Sequence, residues 1–205
     1  MGDLNTIIGR RKTTVCDVWF RQLESCLREN LQNDAFWIKL ISELTAGLPR
    51  VGLHLGVFVE PYLKHILEGR KTVESRFSVN KCAPYQRVRQ RDILLLKRTG
   101  GPICGVCRIG QVWTYRLDSD SLDSIKEEFS TALCVADSSF WKQREKASFA
   151  TLMQVTDVRA IPSVQISKRD RRGWVTIRDA SAEEQDFEFC WTDRKREVND
   201  CEARR

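Results

Sequence analysis

The sequence is poor in the residues and motifs that mark several common protein classes. It has only two histidines, and no apolar run approaches the roughly 18 residues that span a bilayer. It contains no phosphate-binding P-loop, no dinucleotide-binding glycine motif and no Ser-His-Asp set. The short apolar runs argue against a membrane protein. The missing motifs give no indication of the common nucleotide-hydrolysing or serine-hydrolase classes.

Cysteine is plentiful, with eight residues, but the spacing does not indicate a disulfide framework. Cys104 and Cys107 form one CxxC pair inside a strand pattern, where residues three apart face opposite ways. No second pair and no nearby histidine completes a zinc site. The first ten residues lack the apolar core of a secretion signal. We therefore expect reduced thiols, no metal, no cofactor and a cytoplasmic or nuclear location.

The charge is distributed unevenly along the chain, although the net charge is only +6. Residues 51–117 hold 12 Lys and Arg against 4 Asp and Glu, a net of +8, whereas residues 118–155 hold 4 against 7, a net of −3. The positive segment suits a phosphate-bearing partner such as RNA. The alternative is an uneven but solvated surface without a ligand.

Apolar periodicity predicts two helices followed by a small sheet. Residues 15–32 and 36–44 follow helical spacing, and Asn33-Asp34 between them ends one helix and caps the next. Strands are predicted at 53–59, 72–77, 92–98, 103–115, 152–161 and 173–177, and helices after 119–121 and after Asp137. The chain thus divides into an N-terminal helical extension (1–50), a sheet domain (51–178) and a charged tail (179–205) that is expected to be disordered.

The two N-terminal helices resemble a helix-turn-helix in their spacing, but the second helix carries only Lys39 as a basic residue. It would therefore make a poor DNA-recognition helix. Its apolar stripe is expected to pack on the sheet or on a partner protein, so an interaction scaffold is one alternative for the function.

The stretch 57–77, VFVEPYLKHILEGRKTVESRF, has the most distinctive pattern. Pro61 suits a first helical position, and Gly69 suits a left-handed end of that helix. In the strand that follows, period-two alternation places Glu74 and Arg76 on one face, with Lys71 at the strand's start. These three side chains are expected to converge on a site; the alternative is a solvated face with a cross-paired Glu and Arg.

This order of residues resembles the signature of the ASCH domain family, and the resemblance extends over residues 53–177. The matching positions are Pro61, Tyr62, Gly69, Lys71, Glu74 and Arg76. The resemblance implies an α+β fold: a small β-barrel similar to the PUA domain, with flanking helices and a cleft that accepts RNA or a nucleoside. The implied ligand-binding residues are Pro61, Tyr62, Lys71, Glu74 and Arg76, and we add Trp113 and Trp174 as candidate stacking platforms.

The resemblance leaves binding and catalysis as alternatives. Some ASCH proteins are similar to amidohydrolases of N4-acetylcytidine, which have a Lys where Lys71 stands and a Thr nucleophile where this chain has Glu74. Others are similar to ribonucleases that use a Tyr and a Lys, to which Tyr62 and Lys71 correspond. The catalytic candidates are therefore Lys71, Glu74 and Tyr62, and binding of RNA or a modified nucleoside through a basic cleft is the leading expectation.

Overall fold

The structure, a computed structural model, describes residues 15–46, 50–166 and 171–180, with side chains from residue 20 onward. Several predicted features lie outside the described residues. They are the basic N-terminal segment 1–12, the helix end at Gly47 with the linker that follows, most of the basic turn 168–172, and the aromatic residues of the C-terminal tail.

The described chain holds five helices and six strands. The helices are α1 (Val15–Leu31), α2 (Ala35–Thr45), α3 (Tyr62–Leu67), α4 (Ser119–Phe129) and α5 (Ser138–Lys142). The strands are β1 (Leu53–Phe58), β2 (Val73–Ser78), β3 (Ile93–Arg98), β4 (Ile103–Arg116), β5 (Phe149–Val164) and β6 (Trp174–Arg178). Each element predicted within these ranges is present. None of the helices in the described part of the chain combines the length and apolar character needed to cross a bilayer.

The strands form one mixed sheet in the order β2-β5-β4-β3-β1-β6. β1 and β3 run parallel, and the other neighbours are antiparallel. The register between β4 and β5 shifts near Gly105 and again between Ile109 and Val112, which are the bend sites expected of a sheet that curls. The result is a six-stranded half-barrel with flanking helices, so the predicted α+β, barrel-like fold is confirmed.

The N-terminal helices pack on one face of this sheet. Trp37 of α2 is fully buried, and its indole N–H donates to the Asp157 backbone oxygen at 3.2 Å. Asp34 caps α2, as predicted, by accepting from the Trp37 amide. The same cluster includes Leu53 and Leu55 of β1, so the helices and the sheet share one core. The apolar stripe considered for a protein partner is therefore covered by the sheet.

The opposite face of the sheet holds a second core that α3 covers through Leu63 and Ile66. A buried polar pair stands beside it, with His54 Nε2 3.0 Å from Asp92 Oδ2. Asp92 also accepts from the amides of Gly52 and Arg89, which fixes the start of β3 against β1. A third apolar cluster lies under α4 and α5 and includes residues of β2, β4 and β5.

Candidate functional site

A cavity of about 460 Å³ opens beside β2. Its size falls in the range of small-ligand pockets, roughly 300–1,000 Å³. It is lined by Val57, Phe58, Val59, Tyr62, Lys71, Glu74, Ser75, Arg76, Phe77, Ser78, Val79, Phe140, Gln143, Arg144, Lys146 and Ala147. The lining thus contains four cations and one carboxylate, together with aromatic rings.

The turn from α3 into β2 places the signature side chains at this cavity. Gly69 has a φ of 73°, the left-handed conformation that was predicted, and its amide donates to the Ile66 carbonyl. The Lys71 amide then donates to the His65 carbonyl. Pro61 differs slightly from the prediction, because it precedes the helix as its N-cap and Tyr62 is the first helical residue.

Lys71 is almost completely buried, with 3% of its surface exposed. Its Nζ donates to the Leu133 carbonyl at 3.1 Å and lies 3.5 Å from Glu74 Oε2. It also lies 5.4 Å from the centre of the Tyr62 ring. Burial lowers the pKa of the Lys71 ammonium, although Glu74 acts in the opposite direction. The amine is therefore closer to its neutral form than an exposed lysine would be.

Arg76 is held differently from what the sequence suggested. Its guanidinium lies between the rings of Phe58 and Trp174, 4.9 and 5.3 Å from their centres. Nη1 donates to the Gly173 carbonyl and Nη2 to the Val57 carbonyl, each at 3.1 Å. Arg76 therefore ties edge strand β2 to β1 and to the residue before β6. Arg76 also lines the cavity, so its predicted role as a ligand-binding residue stays a prediction, beside the contacts that it makes within the protein.

Glu74 pairs with both signature cations and is itself buried, with 6% of its surface exposed. Its Oε1 lies 2.9 Å from Arg76 Nε, and its Oε2 faces Lys71. The Nε contact lacks hydrogen-bond geometry, so we treat it as an ion pair. Lys71, Glu74 and Arg76, called the triad below, thus form a closed set with a net charge of +1. The prediction that these side chains converge is supported by these distances, and the solvated alternative is not.

Three other residues that were predicted to contact the ligand do not line the cavity. Trp174 is buried beneath Arg76 and supports the guanidinium. Trp113 packs against Phe129 of α4 in the third cluster, with ring centres 5.0 Å apart, so the prediction that it faces the cleft is corrected. Pro61 is exposed beside a separate, shallow depression. Tyr62 does line the cavity.

Two cavity residues, Phe140 and Arg144, were missed. The Arg144 guanidinium carbon lies 3.3 Å from the centre of the Phe140 ring, and the Phe77 ring centre is 5.4 Å away. Arg144 also donates to the Phe140 carbonyl, and burial lowers its pKa. Both residues come from segment 118–155. Because the net charge of that segment is negative, the sequence pointed to segment 51–117 as the source of the binding cations. The grouping of aromatic and basic residues in FWKQREK was the available signal.

The described residues include no group of three or more His, Cys, Asp and Glu side chains arranged to hold a metal ion. The Cys104 and Cys107 side chains are free thiols, and burial raises the pKa of the Cys107 thiol. The chemistry available in the cavity is therefore that of cations, one carboxylate, a tyrosine and aromatic faces.

The lowered pKa of Lys71 has a measurable effect on stability. In the unfolded chain a lysine keeps its proton up to about pH 10.4, whereas folded Lys71 releases its proton at a lower pH. Between the two values the unfolded chain binds more protons, so Lys71 makes stability rise with pH there. We expect the free energy of unfolding of wild type, minus that of Lys71→Met, to increase as pH rises towards 10.4. Denaturant titrations of wild type and Lys71→Met over pH measure this difference, and a difference that does not change with pH would contradict the prediction.

Comparisons with known proteins agree with this architecture. The sequence model of the ASCH domain matches residues 57–165. An ASCH crystal structure from Zymomonas mobilis is similar at a TM-score of 0.50 and 12% identity, covering 62% of this chain and 87% of that chain. A protein from Enterococcus faecalis V583 gives a TM-score of 0.43 at 11% identity, covering 68% and 99%. No curated protein matches the sequence. At such identities the Zymomonas structure supports the fold alone.

Proposed function

The chain belongs to the ASCH domain family, and from that premise we propose that it binds RNA, or a modified nucleoside within it, in the cavity beside β2. One observation carries the proposal: a cavity of about 460 Å³ brings the signature triad together with aromatic rings and additional cations. A pocket of that size accepts a nucleoside.

The electrostatics of the cavity favour an anionic ligand. Four cations, Lys71, Arg76, Arg144 and Lys146, stand against Glu74, which leaves a net charge of +3 on the lining. Three of these cations are buried or half-buried, so salt screens them less than it screens exposed charges. RNA supplies phosphates for such a lining and bases that stack on aromatic side chains.

Catalysis is the second candidate, and the position of Lys71 favours it. A lysine with a lowered pKa beside a carboxylate and a tyrosine is a candidate general base or nucleophile. The same amine is engaged by Glu74 and the Leu133 carbonyl, which supports a binding role. Glu74 also stands where the amidohydrolase pattern has its Thr nucleophile. The scaffold alternative has weaker support, because the helical stripe is buried against the sheet.

Equilibrium binding of single-stranded RNA oligomers and free modified nucleosides tests the proposal. If three phosphates are contacted, RNA affinity should fall roughly tenfold to twentyfold between 50 and 200 mM salt. Lys71→Met removes one cation from the lining, and we expect RNA to bind roughly threefold to tenfold more weakly, about 0.7–1.4 kcal/mol. Lys64→Met, outside the cavity, should bind like wild type.

The same samples separate binding from catalysis when products are analysed. We expect no turnover of RNA or acetylated cytidine by the wild type. Turnover that disappears in Lys71→Met while binding persists would establish the catalytic alternative, because that residue would then act mainly in the transition state. Failure of the wild type to retain any RNA or nucleoside would refute the proposed function.

A further inference from the structure

We propose that Arg144 binds a phosphate group of the ligand, so that the cavity takes a nucleotide, as a unit of single-stranded RNA or as a free monophosphate, in preference to an unphosphorylated nucleoside. This inference rests on the proposed function and adds the chemical class of the ligand and a binding residue outside the family signature.

The signature cations are poor candidates for holding a phosphate. Lys71 is engaged by Glu74 and by the Leu133 carbonyl, and Arg76 by Glu74 and two further backbone carbonyls. Both carboxylate oxygens of Glu74 are occupied as well. A phosphate placed at the triad would have to displace contacts that already exist within the protein.

Arg144 differs from these two cations. It is half-buried in the cavity wall, and no described carboxylate lies within 4 Å of its guanidinium nitrogens. Its recorded hydrogen bond goes to the Phe140 carbonyl. The cation–π contact with Phe140 holds the guanidinium over that ring, and the one hydrogen bond to the Phe140 carbonyl leaves other N–H donors of Arg144 for a ligand. Glu74 attracts this guanidinium from a distance, but no described carboxylate contacts it. A half-desolvated cation in that position is stabilised when a bound anion completes its interactions.

Aromatic rings connect the triad to Arg144 along the wall of the cavity. Lys71 Nζ lies 5.4 Å from the Tyr62 ring centre, that ring lies 6.3 Å from the Phe140 ring, and Arg144 lies directly over Phe140. Tyr62 and Phe140 therefore stand between the triad and the Arg144 guanidinium in this series of contacts. A base near Tyr62 would leave its phosphate at Arg144, where the exposed Lys146 adds a second positive charge.

The test compares cytidine and uridine with their 5′- and 3′-monophosphates and with a short RNA oligomer, using the full chain. For wild type we expect the better monophosphate to bind at least tenfold more tightly than its nucleoside. Arg144→Gln should abolish that preference, so that the monophosphate binds no more tightly than its nucleoside. The matched control, Arg116→Gln, alters an exposed arginine outside the cavity and should leave every affinity unchanged. Arg144→Lys should keep part of the preference, because it retains the charge but not the fork.

The wild-type measurements alone are decisive if the variants fold poorly. Equal affinity for nucleoside and monophosphate would overturn the inference while leaving nucleoside binding, and with it the proposed function, in place. A monophosphate preference that survives in folded Arg144→Gln would overturn the assignment of the phosphate to Arg144. Absence of binding to every nucleoside, nucleotide and RNA would refute the proposed function itself.

Discussion

Trp37→Ala is expected to lower the free energy of unfolding of the whole described domain by about 3–5 kcal/mol. The Trp37 side chain is fully buried between α2 and the sheet, and its indole N–H donates to the Asp157 backbone oxygen. Truncation would open a cavity in the core that α2 shares with β1 and leave that backbone acceptor without its partner. Urea denaturation followed by circular dichroism should show a single transition at lower denaturant.

The neighbouring Phe36→Ala is the matched control, because Phe36 is 40% exposed on the same helix. We expect it to cost less than about 1 kcal/mol. If Trp37→Ala cost no more than Phe36→Ala, the helices would be an independent extension and not part of the sheet's core. The sequence-based division at residue 50 stays a prediction, and a fragment of residues 51–178 would expose the apolar surface that α1 and α2 cover.

Helical periodicity predicted which residues of α1 and α2 are buried, but not what buries them. Leu23, Leu27 and Leu31 are buried on the apolar face of α1, as their spacing indicated. Periodicity identifies a face of a helix, whereas the surface that covers the face belongs to distant strands. For this reason the sequence left the sheet and a partner protein as alternatives.

For β2, the sequence predicted which side chains share a face of the strand but not which groups those side chains contact. Alternation along β2 placed Glu74 and Arg76 together, because period two is a local property of a strand. The carbonyls that accept from Arg76 lie 19 and 97 residues away, at Val57 and Gly173. No local pattern reports such contacts, so the sequence indicated Arg76 as a ligand contact but did not show that it ties the strands together.

Trp113 illustrates a different limit. It lies just beyond the register shift between Ile109 and Val112. A bulge inserts one residue into the pairing and moves the following side chains to the opposite face. Gly105 and Gly110 lie close to the register shifts of β4, but a glycine does not specify the residue at which the register changes, so the side of the sheet that Trp113 occupies was not predictable.

Glu74→Ala should be the most destabilising change in the cavity, costing about 3–5 kcal/mol. The side chains of Lys71 and Arg76 are 4% and 21% exposed, and Glu74 is the carboxylate that pairs with both. Removing it leaves two cations close together in a poorly solvated environment, with only backbone carbonyls and aromatic rings as partners. Urea denaturation at neutral pH measures the loss, and the Arg76 link between β2 and β1 should weaken with it.

Glu68→Ala provides the control, because Glu68 also pairs with an arginine, Arg70, but on the exposed surface, where such a pair contributes little to stability. A double-mutant cycle then separates the charges. Adding Lys71→Met to Glu74→Ala should recover part of the loss, because one of the unpaired buried cations is removed. If Glu74→Ala cost less than about 1 kcal/mol and showed no coupling to Lys71, backbone carbonyls alone would hold the cations. Glu74 would then be free to accept a hydrogen bond from the exocyclic amine of a bound base.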